Sequence, residues 1–175
     1  MESIQFQPER WHACHEGDWI SCENGVNCYS YILDRPEYFW SVPGEGFAKA
    51  TTGQYFRNFD KKFEHISFVD FCERLMRGAI EDGLIPVETT ADRDGYYLAA
   101  LFFADGEKDF HWYRKDDDGY WSHKNGREAA SNLSSSGARI ENPLNAKDTR
   151  YPIFGGFFLV PRGGITLTKQ FPLVS

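Results

Sequence analysis

The run Tyr96-Tyr97-Leu98-Ala99-Ala100-Leu101-Phe102-Phe103 is followed first by Asp109-Phe110-His111-Trp112-Tyr113-Arg114 and then by Tyr120-Trp121-Ser122-His123-Lys124. The first run is short, apolar and aromatic, and Asp105-Gly106 ends it, which is the pattern of a strand and a turn. The second and third runs flank the turn-forming stretch Lys115 to Gly119 and read as a hairpin. Centred on Asp117, the hairpin sets His111 opposite His123 on one face, with Cβ atoms roughly 4.5–5.5 Å apart. Further out, Ile153-Phe154-Gly155-Gly156-Phe157-Phe158-Leu159-Val160 reads as a late core strand. A helix is predicted over 67–82. Ser67 is its N-cap and Asp70 stands near the capping-box position. Phe68, Phe71, Cys72, Leu75, Met76, Ala79 and Ile80 recur at helical spacing, and Gly83 is the stop. Asn27 is a good cap for a short helix opening at Cys28, which Asp34-Arg35-Pro36 ends. Residues 36–62 and 125–150 hold no period and read as long connections, the first rich in aromatics, the second a loop or lid.

These elements predict one α+β domain over residues 1–175, with helices packed on an antiparallel sheet. Aromatics make up 17% of the chain (15 Phe, 9 Tyr, 5 Trp), enough to build a core and to line a groove. The net charge is -7, and an acidic chain with no basic block is a poor nucleic-acid binder. No window approaches the roughly 20 apolar residues of a membrane span. The N-terminal residues lack an apolar h-region, so the expected location is cytoplasmic as synthesised, with export only by a signal-independent route. In that compartment Cys14, Cys22, Cys28 and Cys72 are expected reduced. Cys14, Cys22 and Cys28 lie near His12 and His15 but lack a C-x2-C knuckle, so no metal and no cofactor is expected. Asp116-Asp117-Asp118-Gly119 lacks the twelfth-position Glu of a calcium loop and reads as a solvated turn.

Chemistry enters with Cys28. At a helix start the unpaired N–H groups and the positive dipole end favour a thiolate. His111 would hold the ion pair and protonate a leaving amine, and His123 would fix its tautomer. Asp109 and Asn125 are alternative orienting groups. The stretch from Leu98 to His123, with its H-x11-H interval, resembles the core of NlpC/P60 cysteine peptidases, and Asn27-Cys28 is similar to that family's nucleophile position. The resemblance implies a papain-like fold with Cys28, His111 and His123 as catalytic triad, and a cysteine hydrolase of amide bonds. It further implies a peptide or peptidoglycan substrate in a bacterial or phage setting, as a delivered toxin or lysin with an immunity or inhibitor protein as partner. A protease or deamidase acting on a host protein would use the same residues. The competing class is a non-catalytic module with an aromatic groove. Trp40, Tyr38 and Trp19 are the candidate groove residues. The hydrolase reading expects Cys28 Sγ within about 3–4.5 Å of a His111 ring nitrogen.

Overall fold

The computed structural model describes residues 2–11, 26–48, 59–126, 128–146 and 148–170. The near-continuous apolar run becomes β4 (Tyr96–Phe103), inside a six-stranded sheet. Its neighbours are β5 (Phe110–Lys115) on one side and β8 (Ile153–Pro161) on the other. β6 (Trp121–Lys124) and β7 (Ala130–Ser131) extend the sheet past β5, and β3 (Ile85–Val87) closes the far edge. Every pairing in this sheet is antiparallel. A strand buried on both faces reads as a solid apolar run rather than an alternation. Leu98, Ala100 and Phe102 pack into one core cluster, and Tyr97, Ala99, Leu101 and Phe103 into the other. A shift in register at Leu101/Phe102 leaves Gly155 as the extra residue of β8, where a Cβ would stand 2.7 Å from the Phe103 ring.

Two helices cover the first face. α1 (Cys28–Ile32) starts at Asn27, whose side-chain oxygen accepts the Ser30 N–H. α2 (Phe68–Glu81) starts at Ser67, whose hydroxyl accepts the Asp70 N–H at 3.0 Å. It ends through Gly83 at φ 110, with the Gly83 N–H donating to Ile80 and the Leu84 N–H to Ala79. Phe71, Leu75, Gly78 and Ala79 are its buried residues, while Ile80 is half exposed, so the buried stripe is narrower than the spacing predicted. Cys72, Phe68 and Met76 flank it, partly buried. The second face is covered by Ile140, Ala146 and Tyr151 from the long connection before β8.

Residues 36–62, read from sequence as one irregular connection, contain a hairpin of β1 (Trp40–Val42) and β2 (Gly46–Ala48) and a helical turn over 59–63. The strands are three residues each, too short for a period to register. α2 crosses close to this hairpin, because a Cβ on Gly78 would stand 2.3 Å from the Pro43 oxygen. The connection 125–150 is mostly irregular as expected, broken by β7 and by a 3-10 turn at Pro143–Asn145.

Candidate functional site

The site forms where β5 and β6 part. Arg114 pairs with Ser122 and Tyr113 with His123, and there the ladder stops. Continuing that register would set Trp112 opposite Lys124. Cys28 takes the vacated place instead. Its thiol donates to the Phe110 carbonyl at 3.9 Å, and the Trp112 N–H points at the same sulfur. Asn27 pins the helix start from behind, donating from Nδ2 to the Ser41 carbonyl at 2.7 Å and accepting the Ser30 hydroxyl at 3.0 Å. Cys28 is only 5% exposed. Burial dominates its titration and pushes the thiol up to about 12, against the lowering effect of the backbone N–H groups of Trp112 and Tyr29. Burial thus works against the thiolate expected at the helix start. Lys124 is fully buried nearby. It donates to the Gly126 carbonyl at 2.7 Å, and burial lowers its ammonium to about 8.

His111 and His123 share a face, but not as direct partners. The observed register is centred on Asp118 (Tyr113 with His123), two residues away from the predicted pairing. A two-residue slip preserves the alternation, so the histidines become diagonal neighbours. His111 Nε2 and His123 Nδ1 are 2.8 Å apart. Tyr151 stacks on the His111 ring and Tyr113 on the His123 ring, with centroids 5.0 and 4.9 Å apart. Burial lowers both imidazole pKa values, that of His111 far below the usual range. The alternative orienting groups are engaged elsewhere. Asp109 accepts the Phe110 N–H, the Tyr151 hydroxyl and an Arg150 N–H, while Asn125 donates to Glu128. No hydrogen bond joins Cys28 to His111 among the described residues. On β5, Phe110 and Trp112 belong to the cluster under α1, whereas Tyr113, and with it His111, faces the other way. Cys28 and His111 meet only as lining of one cavity at the strand end.

That cavity is an open groove of about 870 Å³. Trp40, Phe59, Phe63 and Phe110 supply its aromatic wall, so the first long connection does border Cys28, and Asn125, Gly126, Glu128 and Arg150 bring the second one to it. Tyr38 is not a groove residue. Its ring stacks on Phe47 at 4.1 Å, and its hydroxyl accepts the Leu167 N–H at 3.0 Å, tying the C-terminal segment down. Trp19 lies outside the described residues. Sequence reasoning missed Phe59, Phe63, Tyr151 and Lys124. The one usable signal was for Lys124, which alternates with His123 at the end of a strand whose two faces are both covered.

The chain is 32% identical over 164 residues to "Insoluble matrix shell protein 1" of Ruditapes philippinarum, an alignment spanning 93% of this chain and 95% of that protein. No protein-family model matches the chain, and no solved structure matches it. This likeness corrects the functional expectation: a relative along nearly the whole chain is named as a matrix protein of shell, not as a peptidase, hydrolase or toxin. It corrects the cytoplasmic expectation as well, since a shell matrix lies outside cells. No helix among the described residues is long and apolar enough to cross a membrane.

Proposed function

This chain belongs to the family of insoluble matrix shell protein 1, and we propose that it is a non-catalytic structural module of an extracellular matrix, which holds a matrix component in the groove beside Cys28. The observation that carries this reading is the pairing of an open, aromatic-walled groove with a thiol that burial keeps protonated at its inner end. A groove of this size with convergent polar groups is built to hold a ligand. A sulfur used as a backbone partner for β5 is a structural element rather than a nucleophile. We read the frame itself as NlpC/P60-like and papain-type. The support is the order of a cysteine at a helix start, an apolar strand, and a hairpin whose two histidines contact each other.

The test is retention. Purified chain is mixed with acid-insoluble shell matrix, pelleted and washed. Wild type should stay in the pellet, and Trp40→Ala with Phe59→Ala should release it about tenfold, with circular dichroism confirming that the variant is folded. Equal retention of wild type and variant, or release of amines from the matrix that stops with Cys28→Ala, would overturn the reading.

A further inference from the structure

The charge of the groove is one-sided, and its cationic side chains are already partly engaged. Lys108 Nζ donates to the carbonyls of Phe63 and Glu64, at 2.6 and 3.1 Å. Arg150 and the Tyr151 hydroxyl both donate to Asp109, and Asn125 donates to Glu128. Among the described lining residues the acidic side chains outnumber the basic ones. Asp60 and Glu107 are exposed lining residues, and neither makes an ion pair among the described residues. Counting all described lining residues, Asp60, Glu64, Glu107, Asp109 and Glu128 face only Lys108 and Arg150.

His111 supplies a further acceptor, at the inner end. His123 Nε2 lies 3.3 Å from the Leu133 carbonyl, which can only accept, so Nε2 carries the proton. Burial keeps His123 neutral, so its Nδ1 is bare and accepts from His111 Nε2. His111 is neutral in turn, which leaves its Nδ1 with a lone pair and no hydrogen-bond partner among the described residues. The residue is 1% exposed and lines the groove. An acceptor at a cavity wall can take a hydrogen bond from whatever fills the cavity.

We propose that the groove binds an extended Lys- or Arg-bearing peptide segment, with the cationic side chains lying on the Trp40 and Phe59 wall between the Asp60 and Glu107 carboxylates and one N–H donating to His111 Nδ1. The proposal rests on the binding-module reading above and names its ligand class. Ligand cations pair with carboxylates and lie over aromatic rings. The protein itself shows the second kind of contact away from the groove lining, with the Arg74 guanidinium 5.2 Å from the Phe63 ring centre. A neutral polysaccharide fits less well, since it carries no cation to meet the Asp60 and Glu107 carboxylates.

The experiment is a calorimetric titration of the full chain with a capped Arg-Gly repeat peptide, a matched Glu-Gly peptide and a neutral amino-sugar oligomer. The Arg peptide should bind at least tenfold tighter than either control and weaken as salt rises. Asp60→Asn with Glu107→Gln, both exposed changes, should cost about tenfold. His111→Gln, which keeps a polar atom near the Nε2 position but removes the Nδ1 acceptor, should cost several-fold, judged only if its Tm shows a folded chain. No binding of the Arg peptide, equal binding by the carboxylate variant, or preference for the sugar would overturn the proposal. Matrix retention measured on the same samples separates the two levels. Wild type retained on matrix but blind to the Arg peptide loses only the ligand class; wild type not retained at all loses the module reading beneath it.

Discussion

Cys28 holds the place where a helix start should make a thiolate, and its burial works against one. The backbone N–H groups around it lower the thiol, but burial outweighs them. Alkylation by iodoacetamide at pH 7 should therefore be slow for Cys28 in the folded chain and become fast when denaturant exposes it. Peptide mapping of the labelled cysteine reads this directly, and rapid folded-state labelling of Cys28 would show the assignment of an inert thiol to be wrong. Arg114 is the second residue whose setting overrides its type. It is 1% exposed on the α1 side of β5, donating to Asp116 at 3.0 Å, to the Gln5 carbonyl and to the Tyr31 hydroxyl. Its guanidinium lies 4.2 Å from the Tyr31 ring centre. Arg114→Ala strands Asp116, itself buried, and should cost about 3–5 kcal/mol in denaturant unfolding. A loss under about 1 kcal/mol would mean that water reaches the pair.

At the scale of elements, the legible parts were those with a long period or a distinct cap. β4 matches the apolar run, and α2 matches the Ser67 to Gly83 pattern, because both carry their signal within the element. The hairpin register was off by two for a local reason that the sequence does contain. Asp116 pairs with Tyr120 through its N–H, leaving Asp117, Asp118 and Gly119 as a three-residue loop. Gly119 sits at φ 85, the left-handed position that such a loop requires, and this centres the hairpin on Asp118. The three Asp side chains then bind three separate places: Arg114, the chain at Ser3 and Ile4 with Arg162, and Arg139. The groove was harder to see, since Phe59, Phe63 and Tyr151 come from segments without periodicity and meet only in three dimensions. The packing of α2 on the β1–β2 hairpin was equally hidden, because it depends on two backbones touching. Gly78→Ala puts a methyl against the Pro43 oxygen and should destabilise by about 1–3 kcal/mol, although alanine is the better helix former. A more stable Gly78→Ala protein in thermal unfolding would refute that close approach.

Across the whole molecule, the two faces of the sheet divide the work. The face under α1 and α2 carries most of the core, while the other holds the histidine pair beneath the connection that leads to β8. The pair ties pH to stability with a definite sign. In the unfolded chain both imidazoles titrate near about 6.5. In the folded chain burial favours the neutral form of each, and the charge of one also disfavours charge on His111. As pH falls below about 6.5, the unfolded state takes up protons that the folded state refuses, so stability is lost on the acid side and is fully present above it. Glu45, whose pKa Lys62 and Arg74 lower from its ordinary value against its own burial, adds a loss only at lower pH. The Tm should thus fall only slightly between pH 8 and 7, where buried Lys124 completes its protonation, and decline further from pH 6.5 toward 5, before that carboxylate is neutralised. His123→Gln removes one of the titrating rings, and its decline over the same interval should be shallower than that of wild type, whatever its absolute Tm. Thermal melts of both proteins at half-unit steps decide this. Parallel curves would mean that the histidines are solvated and titrate alike in both states, and the neutral tautomers that leave His111 Nδ1 bare toward the groove would fall with them.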